Sequence, residues 1–569
     1  MMISPLLFAV LFLSTSAVNG QVQPPVANDN EIVALSGDVT PPSVVVNLAA
    51  TDVSLAFPAP CSPLTLSPTI NAMGVTLPTA PAGADHATIR YRPASSVTWT
   101  DGHDAVLTNN GKIVGSIFWL TPSTEYVVEV RGRSADNSVV SVNQCAATTR
   151  PNLPVNTVSR AIHVAAAAAP GGNGSLAAPY QTIQAAVNVT QPGDEVIVQP
   201  GIYHEGITFP RSGTVGAYIK VTGQPGAIMD GGDPTIEQNG LAWTPDPNYP
   251  NVYSTSIPTD FYADWYLSFD PIWRDTMHFY TYDSLADARA GVAHGGGAMS
   301  EGWFFDTDTN ILTVRSLTDP DTHTWHIRSH DGAFRLTSRD YIWIEGLTMR
   351  YYPLAIYIPS GKNNVVRDNT IQAETGVLID NSQQGRSAEG NLIETNYMFD
   401  APLGEWGYDA VKGTRMEAGA LVSWQGTGNI FRDNRIEQHF NGIFTGDAIE
   451  TDVYRNFIRQ LGDDGLELDG NAENVRAWGN AVDDINSAIS LAPTTVGPVW
   501  AIYNRFTQFL GRAFKIGGGL TGGYDFLYHN TVWSSLTNAA GTQQVTDDTN
   551  KIVFRNNVLY GDPAIRWTQ

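Results

Sequence analysis

GIFTGDAIETDVYRNFIRQLGDDGLELDGNAENVRAWGNAVDDINSAIS, from Gly442 to Ser490, contains two interleaved repeats. VYRNFI and RAWGNAV place Asn456 and Asn480 24 residues apart, each beside apolar residues. The same asparagine recurs outward in both directions: Asn369 in VVRDNTI, Asn396 in IETNYMF, Asn434 in IFRDNRI, Asn504 in AIYNRF, Asn530 in LYHNTV and Asn556 in VFRNNV. From Asn369 to Asn556 the spacings are 27, 38, 22, 24, 24, 26 and 26 residues. One coil of a three-sided β-solenoid takes about that many residues, and asparagines stacked at one turn can hydrogen-bond along the axis.

The second repeat is a four-residue strand: AIYI from Ala355, GVLI from Gly376, GALV from Gly419, GIFT from Gly442, GLEL from Gly465, AISL from Ala488 and AFKI from Ala513. Strand side chains alternate between faces, so the second and fourth residues of each point inward. Tyr357, Leu378, Leu421, Phe444, Glu467, Ser490 and Lys515 then form one outward ladder. A surface groove is therefore predicted along the coils.

Upstream of the repeat, Tyr180 to Val189 has a helical pattern, and the turn Pro192-Gly193-Asp194 leads into an alternating strand from Glu195 to Gln199. Residues 241–327 interrupt the repeat with Trp243, Trp265, Trp273, Trp303 and Trp325, predicting an insertion packed beside the solenoid. Large aromatics are usually core, although exposed rings can stack on sugars. Residues 41–150 contain short alternating β-runs between turn signals, the pattern of a small β-sandwich. Tyr91 and Trp99 fall where middle strands would lie, and Leu120, Pro122, Thr124 and Tyr126 spell L-x-P-x-T-x-Y, so the segment resembles a fibronectin type III domain. Such domains are spacers or binding modules, and no chemistry is expected of it.

The chain of 569 residues has 53 Gly and 34 Pro, is 42% hydrophobic and only 15% charged, which fits many turns rather than disorder or coiled coil. Its 56 acidic and 32 basic residues leave a formal charge of −24, which repels nucleic acid and anionic membranes. Residues 1–20, MMISPLLFAVLFLSTSAVNG, read as a signal peptide cut before Gln21, so a secreted protein is expected, extracellular or periplasmic. No later stretch reaches the ~18 apolar residues of a membrane span. The two cysteines, Cys61 and Cys145, form either a disulfide or two buried thiols, and are too few for a metal site.

Charge gathers at the centre of the ladder. GDDGLELDG, Gly462 to Gly470, supplies Asp463, Asp464, Glu467 and Asp469, and GRAFKI supplies Arg512 and Lys515 two coils later. Strands ~4.8 Å apart and alternate residues ~6.8 Å apart let Glu467, Asp469 and Lys515 face one sugar ring. The long coil contains the excursion APLGEWGYDAVKGTRMEAG, 401–419, which brings Tyr408, Asp409, Lys412, Arg415 and Glu417 to the groove mouth. His439 and Trp424 are further neighbours, with Tyr408 and Glu417, expected to contact substrate. The plainer alternative is a turn shaped by Asp463 and Asp464 and a solvated ion-pair ladder of Glu467 and Lys515.

The passage Ile162 to Gly206, IHVAAAAAPGGNGSLAAPYQTIQAAVNVTQPGDEVIVQPGIYHEG, resembles the helix-bearing cap of pectate-lyase-like right-handed parallel β-helix proteins. The resemblance covers Ile162 to the C-terminus and implies an all-β fold: a right-handed parallel β-helix over 160–569 after the small sandwich. It also implies activity on polysaccharide, because this family includes lyases, polygalacturonase-type hydrolases and uronate epimerases. Asp463-Asp464 and Arg512 with Lys515 are similar to the hydrolases' paired Asp and R-x-K, but the spacing here is R-x-x-K. The N-T-D, G-H-G and D-P-H-D elements are missing.

Two reactions fit. In β-elimination on a uronate polysaccharide, the first expectation, Lys412 or Lys515 is the base, its proton affinity lowered by neighbouring cations. Arg415 or Arg512 clamps the carboxylate, or Ca²⁺ held by Asp463, Asp464 and Asp469 neutralises it. In inverting hydrolysis, Glu467 and Asp469 act as acid and base. A non-catalytic glycan-binding protein is the competing class, and a monomer is expected in each case.

Overall fold

The computed structural model describes residues 61–257, 271–400, 406–414, 416–517, 522–535, 541–543 and 551–561. The predicted signal peptide, Trp265 and Arg415 lie outside the described residues. The chain is mostly β, a right-handed β-solenoid of about 13 turns with an antiparallel sheet region at its N-terminal side.

Two long parallel sheets wind together. One has 12 strands, from Arg160–Val164 to Ile552–Arg555; the other has 17, from Gly201–Tyr203 to Val558–Tyr560. The larger sheet covers two sides of each coil because strands such as Thr348–Pro359 and Ala481–Leu491 bend, with register shifts at Arg350/Tyr352 and Ile485/Ser487. Inward residues stack in register: Val377 on Leu421, Ile443, Leu466, Ile489 and Phe514, all buried in one continuous core. Each apolar side chain thus packs on its counterpart one coil away, the solenoid's way of burying a core with short strands.

The outward ladder runs Tyr357, Leu378, Val422, Phe444, Glu467, Ser490, Lys515. Val422 replaces the expected Leu421, which is fully buried. Gly419 pairs with Asn441 rather than with Gly442, so the expected frame is offset by one residue here, and an offset of one exchanges the faces of a strand.

The asparagine ladder is present, with one correction. From Asn369 through Asn396, Asn434, Asn456, Asn480, Asn504 and Asn530, each backbone N–H and side-chain Nδ2 donates to Oδ1 of the next asparagine. The last acceptor is Asn557, not Asn556. Asn556 has φ +54°, matching Asp368, Thr395, Asp433, Arg455, Tyr503 and His529, the left-handed residues that precede the ladder in the other coils. Asparagine tolerates that conformation, so adjacent asparagines leave the register open in sequence.

The helix at the solenoid's start spans Ile183–Val189, shorter than expected because Thr182 caps it by accepting from Ala185 N–H. Glu205 accepts from the next free N–H groups, of Ile183 (2.8 Å) and Gln184 (2.9 Å). Ile183, Ala186 and Val187 cover the first coil.

The N-terminal sheet, strands from Thr65–Pro68 to Val139–Thr148, is antiparallel and carries the Cys61–Cys145 disulfide. It packs on the outside of the 12-stranded sheet, where Tyr454 stacks on Trp478 and Trp500 on Phe526, both at 4.3 Å, and Phe118 meets Trp478 and Trp500 edge-on. Beneath it Arg476, fully buried, bonds Asp452 (2.6 Å), Glu450 (2.7 Å) and Ser116 (3.2 Å).

The insertion forms a four-stranded and a three-stranded antiparallel sheet. Trp243, Trp303 and Trp325 share its core, and Trp273 is fully buried, so these rings are packing groups rather than a sugar platform.

Candidate active site

The strand Asp464–Glu467 anchors the site: Leu466 enters the core and Glu467 points outward between Phe444 and Ser490, with Lys515 one coil further. Backbone bonds hold the preceding bend, Asp463 N–H to Phe440 O at 2.8 Å and Asp464 N–H to Asn441 Oδ1 at 3.1 Å. Both aspartates are buried and charge-partnered. Asp463 accepts from Lys412 Nζ (3.0 Å) and Asn486 Nδ2 (3.1 Å), and Asp464 Oδ2 accepts from Lys515 Nζ (2.8 Å). Asp464 Oδ1 has no hydrogen-bond partner among the described residues. Asp469 Oδ2 accepts from Ser490 Oγ at 3.2 Å.

The excursion delivers the remaining groups. Its helical turn Tyr408–Val411 is held from the insertion by Tyr280 Oη donating to Ala410 O (2.9 Å), while Val411 and Met416 pack with Tyr280, Tyr282 and Phe440. Lys412 follows that turn, bonds Glu417 as well as Asp463, and lies 5.9 Å from the Phe440 ring centre. Tyr408 stacks on Phe440 at 6.2 Å and is 38% exposed. Its hydroxyl is pushed up by burial and by Asp463, with Lys412 and Lys515 opposing. Tyr408, Lys412, Asp463, Asp464, Glu467, Asp469 and Lys515 therefore form one electrostatic unit.

Burial, then the charge of Asp469 and Asp464, pushes the Glu467 carboxyl up to about 8. Burial likewise raises Asp469 to about 7, against the Ser490 hydrogen bond. Asp464 rises to about 6 through burial and Asp463, with Lys515 opposing. Of the three, Glu467 holds its proton most tightly and Asp464 gives it up most readily.

Two expectations fail. Burial disfavours the charge on Lys412, but Glu417 and Asp463 outweigh it and raise its pKa; Asp464 and Asp463 do the same for Lys515. Neither lysine has the lowered proton affinity required of a base at neutral pH. His439 does not reach the groove; it is buried, with its pKa driven down to about 4 by burial, near Asp400 and His278. Asp400, its neighbour, is bonded by Trp273 and His278 of the insertion, a contact between distant segments that the four-residue pattern does not mark.

Asp463, Asp464 and Asp469 do not fit Ca²⁺. Lysine ammonium groups and Asn486 already occupy Asp463 and Asp464, and the three do not converge as a ligand group. Trp424, 46% exposed, lies two coils from Glu467 and tilts against the intervening Phe444 at 5.1 Å, extending the groove wall. Arg512 stands in register with Ser487 and makes no ion pair among the described residues. Phe440, Asn441, Asn486 and Ser490 were not expected in the site. Only Ser490 was marked by the ladder, and the others meet it through bends.

Fold and site together define a right-handed parallel β-helix with a carboxyl-rich groove on its larger sheet. The family model for a right-handed β-helix region matches residues 322–496. No curated protein matches the chain. Among solved structures, XylC in complex with xylose is similar at 17% identity over 70% of this chain and 71% of that one, with a TM-score of 0.52. Pectate lyase Pel9A is 14% identical over 71% and 80%, TM-score 0.40. An alginate lyase from Paenibacillus sp. str. FPU-7 is 11% identical over 72% and 99%, TM-score 0.38. The likeness concerns the fold.

Proposed function

We propose that this chain is a secreted carbohydrate-active enzyme that hydrolyses a glycosidic bond of a polysaccharide with inversion. One observation carries the reading: Glu467 and Asp469, two residues apart on the groove, hold their protons up to about 8 and about 7 beside the lysine-paired Asp463 and Asp464. A surface ion-pair ladder would leave Glu467 ionised and paired. Protonated Glu467 donates to the glycosidic oxygen as the C–O bond breaks, and ionised Asp469 takes a proton from the water that attacks the anomeric carbon. Inverting pairs hold their carboxyl groups ~6.5–9.5 Å apart, leaving room for that water. Tyr408 and Trp424 are sugar-stacking groups. XylC, whose structure holds xylose, supports a sugar as the groove's ligand. The disulfide and the apolar leader support export, and a fibronectin type III-like N-terminal sheet would act as a packed support.

β-Elimination of a uronate polysaccharide is the second reading, favoured by the two lysines and Tyr408 in one cluster but opposed by the lysines' carboxylate partners. The test is incubation with neutral and uronate polysaccharides. New reducing ends without ultraviolet absorbance support hydrolysis; an unsaturated, absorbing product establishes elimination. If neither forms, the protein is a glycan-binding one. Calcium has no place in the hydrolytic step, and its addition is expected to leave the rate unchanged.

A further inference from the structure

Away from the groove, three groups with metal-ligand chemistry converge where the insertion leaves the first coils. A ring nitrogen of His204 and carboxylate oxygens of Asp230 and Glu237 all lie within 4.8 Å of one another. His204 follows the strand Gly201–Tyr203, Asp230 ends the strand Ala227–Asp230, and Glu237 lies in the helix Pro234–Asn239, which leads into the insertion.

Gly232 organises all three. Its N–H donates to Asp230 Oδ1 (3.0 Å), and its carbonyl accepts from His204 Nδ1 (2.9 Å). A Cβ there would lie 1.9 Å from Glu237 Oε1, so only glycine leaves room for that carboxylate. Donation from Nδ1 leaves Nε2 of the neutral ring as the lone-pair donor, the arrangement found in metal-binding histidines oriented by a carbonyl. The outer contacts hold the carboxylates in place: Arg350 Nε donates to Asp230 Oδ2 (2.6 Å), and His326 Nδ1 meets Glu237 Oε1 (2.6 Å). Asp230 is fully buried. Two carboxylates this close repel one another, and Arg350 and His326 each meet a single oxygen of one of them.

We propose that His204, Asp230 and Glu237 bind one divalent first-row transition cation, such as zinc, tying the helix Pro234–Asn239 to the solenoid. One imidazole and two carboxylates suit such an ion, whereas calcium takes oxygen ligands alone. Bonds of about 2.0–2.2 Å need the three ligand atoms drawn together by small side-chain rotations. The site would be structural, independent of the reaction at Glu467.

Untagged full-length protein is stripped with a chelator and titrated by calorimetry with Zn²⁺, and in parallel with Ca²⁺, with thermal midpoints read at each step. One equivalent of zinc is expected to bind and raise the midpoint, with calcium ineffective. His204→Ala and Glu237→Gln are each expected to weaken zinc at least ~10-fold and abolish the shift. Because Asp230→Asn loses a buried ion pair and could unfold the chain, the two less buried positions carry the test, with circular dichroism confirming each fold. No zinc binding by the wild type, binding unaffected by both substitutions, or calcium binding preferred over zinc would each overturn the proposal. Carbohydrate hydrolysis does not enter the readout, so the two proposals fail separately.

Discussion

Glu467 does not have the environment of an exposed glutamate. Leu466 and Leu468 on either side of it enter the core, which fixes its side chain outward into a bend crowded by Asp464 and Asp469. Glu467→Gln removes the acid and is expected to lower kcat at least ~100-fold, read as release of reducing ends. Activity should be bell-shaped in pH, rising as Asp469 ionises near about 7 and falling as Glu467 ionises near about 8. A sharp optimum between these values is the expected outcome, and full activity at pH 5 would contradict the assignment. Stability moves in the opposite sense. Glu467 binds its proton more tightly folded than unfolded, so its contribution is intact below about 4.5 and lost as pH rises through about 8. Glu467→Gln should therefore raise the thermal midpoint at pH 9 and leave it unchanged at pH 4.

At the scale of the element, the asparagine ladder and the excursion do different work. Each internal ladder asparagine satisfies buried N–H groups of the coil before it: Asn456 Oδ1 accepts from both Asn434 N and Nδ2. Asn456→Ala leaves the Asn434 backbone N–H buried and unpaired and its Nδ2 with Ile393 O alone, a cost on the order of 3 kcal/mol by urea denaturation. Asn556→Gly, at the exposed left-handed position, should cost well under ~1 kcal/mol. Tyr280→Phe loosens the turn bearing Tyr408 and Lys412 without touching the carboxyl groups. It should slow hydrolysis while shifting neither limb of the pH profile.

Across the whole molecule, the N-terminal sheet and the insertion are built into the solenoid rather than strung beside it. The N-terminal sheet buries an aromatic column and a charged one. Arg476→Ala leaves Glu450 and Asp452 buried without their cation, and about 3–5 kcal/mol of lost stability is expected in chemical unfolding. The insertion reaches the groove indirectly. Trp273 Nε1 and His278 Nδ1 bond Asp400 at 2.7 and 2.5 Å, clamping the residue from which the excursion departs.

Periodicity alone determined the solenoid, the inward and outward rows from Tyr357 to Lys515, and the concentration of carboxyl groups at Gly462 to Gly470. Those features repeat, and a side chain's face in a strand follows from counting by two. Counting stops at bends. There the tertiary structure decided that Val422 rather than Leu421 faces out, that Asn557 rather than Asn556 closes the ladder, and that His439 is buried near Asp400 and His278. It also decided which proton each group keeps, because burial and ion pairs between distant coils set those affinities. Lys412 meets Asp463 across 51 residues, and Lys515 meets Asp464 across another 51. Local sequence holds no record of such pairs, which bind both lysines to the paired aspartates.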